Sequence, residues 1–251
     1  MNAAEYRRMF AVEDRHWWYV SLHELILSWV TAEATAKGRL QIFDAGCGSG
    51  RLAELLAPYG DVSGCDASPL AIAFCAERGL KGVKEADLQE MTLPANHFDV
   101  ITCIDVLYHR GIADDVEILK KLRAALKPGG LLLIHLVADP SLYSSHDVAV
   151  HSRERYTRPL LQGRLERTGL VIERLTYRLT TLFPLIATWR RLRRRDVADA
   201  SQAEEVVSDV ALPPAPLNSA LLRLMRTENW LLRHLDLPFG SSLLAICRRK
   251  A

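Results

Sequence analysis

The sequence predicts an α/β protein built on a doubly wound, mostly parallel sheet, and three observations carry that prediction. Four short segments, LQIFD (40–44), DVSGC (61–65), FDVITC (98–103) and GLLLIHLV (130–137), are apolar on consecutive positions, as strands buried on both faces are. Helical patterns at about 50–58, 69–78 and 112–126 separate them, and regular strand–helix–strand alternation builds parallel sheets. The first strand hands over to its helix through FDAGCGSG (43–50), with glycines at every second position.

The remaining elements follow in order. LKPGG closes the third helix, where Pro128 and Gly129-Gly130 stop it and turn the chain. A short third strand precedes Asp87 in EADLQ. Residues 157–168 predict a further helix, LVIERLTY (170–177) a strand, and SLLAIC (242–247) the last strand. Between those two strands lie the apolar-basic LTTLFPLIATWRRLRRR, a polar patch at 196–209, the turn-rich LPPAP and a second basic helix, NSALLRLMRTENWLLRHL. The sheet closes after this stretch, so it is an insertion at about 178–240 rather than a second domain. Residues 1–37 are expected to form an N-terminal helical lid on a single domain spanning 38–251.

Composition narrows the function classes. The 251 residues are 49% hydrophobic and 25% charged, ordinary for a soluble globular protein. A net charge of +2 is too small to argue for nucleic acid. The charge is uneven, since Arg190, Arg191, Arg193, Arg194 and Arg195 fall together. The five cysteines have no paired metal-type spacing, and Cys65, Cys103 and Cys247 fall in or at the end of expected strands. Reduced, buried thiols in a cytoplasmic protein are the expectation. MNAAEYRRMFAVEDRHWW contains no apolar signal-peptide core, and no apolar run approaches the length of a membrane span.

FDAGCGSG sits where a nucleotide loop would. A dinucleotide fingerprint is G-x-G-x-x-G, whereas Gly46, Gly48 and Gly50 follow G-x-G-x-G with Asp44 in front. An acid there repels a pyrophosphate and suits a ligand with an ammonium group. Asp66, ending the second strand, can accept from a ribose diol; NAD would use the same acid, and a helix cap is the alternative. Asp87, after the third strand, can accept from an adenine amino group. Three acids in order at successive strand ends of one sheet make a constellation.

FDAGCGSG, VSGCDAS, EADLQEMTLPANHFDVITCIDVLYH and ALKPGGLLLI resemble the class I S-adenosylmethionine-dependent methyltransferases of the type 11/type 12 small-molecule branch. The resemblance covers 40–137 and extends more loosely through HWW (16–18), SHDVAVHSRERYT (145–157) and LPFGSSLLAI (237–246). It implies a Rossmann-like, seven-stranded sheet whose last strand runs antiparallel, with S-adenosylmethionine across the strand ends. It assigns Asp44, Ala45, Gly46, Cys47, Gly48 and Gly50 to the methionine part, Asp66 and Ala67 to the ribose, and Asp87 with Leu88 to the adenine. Asp105 would lie near the methyl-bearing sulfur. Trp17 and Trp18 of HWWY would close over the cofactor, or pack as anchors of an amphipathic helix. Relatives with HWWF usually carry an arginine where this chain has Leu22, so the resemblance leaves the group holding the cofactor's carboxylate unassigned.

Methyl transfer from a sulfonium is an in-line displacement with an activated donor, so positioning supplies most of the acceleration. A base helps when the acceptor is a hydroxyl or a protonated amine; an ionised carboxylate or neutral amine needs none. Acceptor-facing candidates are Asp105, Tyr108 and His109 after the fourth strand. After the fifth come Tyr143, His146, Asp147, His151, Arg155 and Tyr156. His146 or His151 near an acid could be a base with its orienting carboxylate; a metal site is disfavoured because adjacent ligands cannot easily aim at one point. The expected reaction is methylation of a small-molecule or natural-product acceptor, most readily at oxygen (a hydroxyl or carboxylate, including a peptide-borne one), with N-methylation or a non-catalytic cofactor-binding partner subunit as alternatives. Arg190–Arg195 are either solvated or dock an anionic membrane surface or acidic partner. No nucleic-acid partner is expected.

Overall fold

The computed structural model describes residues 2–192 and 211–250. Its centre is one seven-stranded sheet: β1 (Leu40–Ala45), β2 (Gly60–Asp66), β3 (Val83–Glu85), β4 (Phe98–Ile104), β5 (Leu126–Val137), β6 (Val171–Arg178) and β7 (Ser242–Arg248). The order is β3-β2-β1-β4-β5-β7-β6. β1 to β5 pair in parallel, and β7 runs antiparallel between β5 and β6. The chain winds outward from β1 to β3, then returns beside β1 as β4 and winds the other way. The crevice beyond the carboxyl ends of β1 and β4 is therefore the topological switch point where such sheets bind ligands.

Strand periodicity divides the core in two. Phe43, Ile101, Leu132, Ile134 and Ala245 face one side of the sheet, and Ile42, Val100, Leu131, Leu133 and Leu244 face the other. Successive residues of a strand point to opposite faces, which is why β4, β7 and the second half of β5 are apolar with little alternation. On the first face pack α5 (Asp115–Ala125), through Ile118, Leu119 and Leu122, and α7 (Arg158–Glu166), through Leu161 and Leu165. On the second packs α2 (Trp17–Lys37), whose Leu22, Leu25, Ile26 and Val30 recur at helical spacing.

Local chemistry sets the helix starts. Asp114 accepts from the Val116 and Glu117 amides to begin α5, and Ser68 and Thr157, each followed within two residues by proline, begin α4 (Pro69–Glu77) and α7. α5 ends at Ala125, before LKPGG, and Leu126 is already extended and paired with Phe98. The proline and glycines therefore bend the entry to β5 rather than close the helix; Gly129 has φ +71°.

Within 178–240 the chain forms α8 (Phe183–Leu192) and α9 (Ala215–Leu232). α9 lies along α2, where Asn229 donates to the Ser21 carbonyl at 2.7 Å and Arg226 pairs with Glu24. Buried Glu228 accepts from the Leu179 and Thr181 amides and the Thr181 hydroxyl, fixing the chain as it leaves β6. Arg193, Arg194, Arg195 and the polar patch at 196–209 lie outside the described residues. At the other end, α1 (Ala3–Val12) leads into α2. α6 (Ser145–Ala149) and α3 (Arg51–Leu56) complete the described helices. All five cysteines are buried and unbridged, and no described helix is long and apolar enough to cross a membrane.

Candidate cofactor and acceptor site

A cavity of about 1050 Å³ opens at the switch point. Its floor begins with Asp44, placed beside Thr102 by the β1–β4 register. The Thr102 hydroxyl donates to Asp44 Oδ1 at 2.6 Å. Asp44 Oδ2 is buried with no hydrogen-bond partner among the described residues. Burial pushes this carboxyl up to about 6, because ionising it takes a charge out of water.

The glycine loop then turns tightly. Gly46 has φ +77°, and a Cβ there would lie 2.3 Å from Val106 Cγ2, so only glycine fits. The Gly46 and Cys47 amides both donate to the Cys65 carbonyl at 2.9 Å, tying the loop to β2. The Gly48 amide donates to Asp66 Oδ2 at 3.0 Å, while Asp66 Oδ1 accepts from the Ser68 amide and the Tyr6 hydroxyl. Asp87 is steadied by the Gln89 amide at 2.8 Å, beside buried Leu88.

Nearly all the expected cofactor residues line this cavity: Asp44, Gly46, Cys47 and Gly48; Asp66 and Ala67; Asp87 and Leu88; Asp105, Trp17 and Trp18. Ala45 and Gly50 stand behind it. Ala45 is buried at the end of β1, and Gly50, at φ +83°, precedes α3 against Leu80 and Cys75. These two shape the loop rather than face a ligand.

Over this floor lies α1, within the 1–37 stretch expected as a helical lid, though none of its residues is among those expected at the site. Tyr6, Met9 and Glu13 line the cavity; Phe10 stacks on Phe74 of α4, and Glu13 accepts from the Ser49 hydroxyl and from Arg78. The Tyr6, Met9 and Phe10 spacing in AAEYRRMFAV marks the helix face that could have signalled this. Trp17 and Trp18 begin α2, held by the Asn218 side chain and the His16 ring, which accept from their amides. Leu22 lines the cavity where an arginine was expected, and Arg51, ion-paired with Asp14 and Glu54, lines it too.

At the far end the cavity is walled by Tyr108, His109, His146, His151 and Arg155, with Leu185, Ile186, Trp189 and Arg190 of α8 at the mouth. Leu185 and Trp189 are 70% and 49% exposed. Burial pushes His109 down to about 4 and also lowers His146 and His151. The expected histidine–acid arrangement is not formed. Asp147 instead makes a bidentate pair with buried Arg155, at 2.8 and 3.0 Å, and accepts from the Ser144 amide. His151 Nε2 lies 2.7 Å from Asn2 Oδ1. Tyr143 donates to the Ser152 carbonyl and Tyr156 to Asp115, so both fix loops. No group of three His, Cys, Asp or Glu side chains among the described residues is placed to hold a metal ion.

The residues at the near end fit S-adenosylmethionine: an unpartnered buried carboxylate oxygen at Asp44 for an ammonium, a tight loop whose Gly46 has no room for a side chain, and acids at the ends of β2 and β3. Comparison with known proteins agrees. A family model described as a methyltransferase domain matches residues 43–134. A ubiquinone biosynthesis O-methyltransferase of Histophilus somni is 33% identical over 142 residues, 49% of this chain and 59% of that protein. The chain thus spans little more than half the length of that curated relative. Among solved structures, a candidate sarcosine dimethylglycine methyltransferase from Galdieria sulphuraria superposes with TM-score 0.60 at 16% identity, covering 92% of this chain and 86% of the other. An S-adenosylmethionine-dependent methyltransferase from Mesorhizobium loti gives 0.54 at 19%, covering 84% and 92%. Residues 43–134 are thus similar to a methyltransferase domain, and the sheet they organise has the fold of solved S-adenosylmethionine-dependent methyltransferases.

Proposed function

We propose that this protein transfers a methyl group from S-adenosylmethionine to a small-molecule acceptor, at oxygen. The observation that carries the reading is the single cavity joining Asp44, Asp66 and Asp87 to a separate far wall of Tyr108, His109 and His146. A donor at one end leaves room for an acceptor at the other. When bound, the cofactor supplies a methyl group on a cationic sulfur. Asp44 takes its ammonium, Asp66 its ribose diol, and Asp87 with Leu88 its adenine; Arg51, which lines the cavity while paired with Asp14 and Glu54, would give up part of that pairing to its carboxylate. Tyr6, Trp17 and Trp18 cover it as a lid and exclude water.

His109 and His146, kept neutral by burial, orient the acceptor, with His151 farther out. Oxygen is favoured by the curated O-methyltransferase relatives. The apolar mouth of Leu185, Ile186 and Trp189 suits an acceptor with an apolar portion. Calorimetric titration with S-adenosylhomocysteine, followed by mass spectrometry of acceptor panels incubated with S-adenosylmethionine, tests the proposal. Micromolar binding with a 14 Da gain on an acceptor is expected; tight NAD binding instead would overturn it.

A further inference from the structure

Asp105 is held in a way that neither a loop residue nor a structural carboxylate requires. It follows β4 directly and has φ +58°, a left-handed conformation uncommon in residues other than glycine, asparagine and aspartate. Its amide donates to the His135 carbonyl at 2.9 Å. The β4–β5 register that pairs Ile104 with His135 brings the His135 ring beside it, with Nδ1 3.0 Å from Asp105 Oδ2. His135 is fully buried within a strand of leucines, and the Trp18 ring meets it at 71°, centroids 5.8 Å apart. Asp105 lines the cavity, and its Oδ1 has no hydrogen-bond partner among the described residues.

A buried imidazole in a strand is costly unless its polar atoms are used, and His135 spends one on Asp105 alone. We propose that His135 is a positioning residue whose Nδ1–H holds Asp105 Oδ2, leaving the unpartnered Oδ1 at the cavity wall as the proton acceptor for a hydroxyl substrate. This rests on the methyltransferase reading and narrows it. A lone pair of the acceptor oxygen forms the new C–O bond as the carbon–sulfur bond breaks, its electron pair staying on sulfur. The hydroxyl proton passes to Asp105 Oδ1. An ionised carboxylate acceptor would meet a like charge there and gain nothing from the base. The acceptor class is therefore a phenol, catechol or alcohol.

Two measurements separate this assignment from the reading beneath it. Nitrogen-15 spectra of histidine-labelled protein, with His135 assigned from its loss in His135→Asn, should show the ring protonated at Nδ1 and bare at Nε2. The Nε2-protonated form overturns the positioning role whether or not any methylation is seen. Turnover is then measured with catechol and with benzoate as probes. Wild type should methylate catechol in preference to benzoate. His135→Leu should lower kcat about 100-fold with KM for catechol and S-adenosylhomocysteine affinity within twofold, the scale of a general base. His135→Asn, which keeps a donor near Oδ2, should recover to within tenfold of wild type. Preference for benzoate, an unchanged kcat in His135→Leu, or no recovery in His135→Asn overturns the proposal. Failure of every variant and of wild type to bind S-adenosylhomocysteine overturns the underlying reading, leaving the nitrogen spectra to decide the histidine.

Discussion

Around the ends of β1 to β3, consecutive loops supply backbone amides and carboxylates at close range; beyond β4 and β5, the wall is assembled from the loop after β4, the segment around α6, and α8, far apart in sequence. The near end closes on itself: loop amides donate to the Cys65 carbonyl and to Asp66. The far end depends on paired charges and on left-handed backbone positions, Asp105 and His151 both having positive φ. A near end of this kind fixes one ligand through local geometry, while a far end of this kind can be rebuilt for different acceptors without disturbing the donor.

The largest expected effect falls on the far end. Asp147 and Arg155 are both buried, at 1% and 2% side-chain exposure, so Asp147→Ala leaves an uncompensated guanidinium. A loss of about 3–5 kcal/mol in unfolding free energy is expected, measured by urea denaturation. Replacing Asp147 and Arg155 together by apolar residues should return most of it. Asp66→Ala probes the near end and should lower S-adenosylhomocysteine affinity about 100-fold by calorimetry, about 2.7 kcal/mol, since it strips the proposed ribose acceptor and orphans the Gly48 amide. If Asp147→Ala left stability untouched while Asp66→Ala unfolded the chain, the division of labour would be reversed.

Asp44 sharpens the contrast because its stability and its function oppose each other. Its folded carboxyl is raised from an ordinary 3.8 to about 6 by burial, so the folded chain holds the proton more tightly than the unfolded one. Its contribution to stability is full below about pH 4 and is lost as pH rises through about 6. Above that, the ionised form costs the ligand-free fold about 3 kcal/mol. Asp44→Asn should therefore melt higher than wild type at pH 8 and no higher at pH 4 by scanning calorimetry. The gain in melting temperature on adding S-adenosylmethionine should shrink in the variant.

The same contrast explains what could be read in advance. Asp44 and Asp66 were legible because each stands at the end of a strand that the sequence announces, whereas β3 before Asp87 is only Val-Lys-Glu and largely exposed, so Asp87 was read from its place in the series and from the resemblance. The sheet and its boundaries were legible for the same reason: burial on both faces leaves a consecutive apolar signature. His135 was hidden inside just such a run, GLLLIHLV, where one polar residue looks like an imperfection; only the β4–β5 register shows what it touches. Asp147 looked like a partner for histidines eight or fewer residues away, and Arg155 won it because a guanidinium can bind both oxygens at once. An N-terminal helical lid was expected, but the contact of Tyr6 with Asp66 was not legible because it crosses sixty positions of sequence.

The smallest effect separates two histidines five residues apart. His146 is pressed into the far wall, and its Nδ1 is buried without a partner among the described residues. Such a nitrogen, lining a cavity, is available to an acceptor. His151 also lines the cavity, but its ring is exposed and its Nε2 already meets Asn2. Removing a hydrogen bond to substrate costs about 1–1.5 kcal/mol, so His146→Ala should raise the acceptor KM about tenfold with kcat and S-adenosylhomocysteine affinity little changed. His151→Asn, which tolerates the left-handed backbone at φ +54°, should change KM less than twofold. Steady-state kinetics with a methylated acceptor distinguish them. Equal losses in the two variants would mean that the far wall recognises its ligand from the exposed rim as well as from its buried floor.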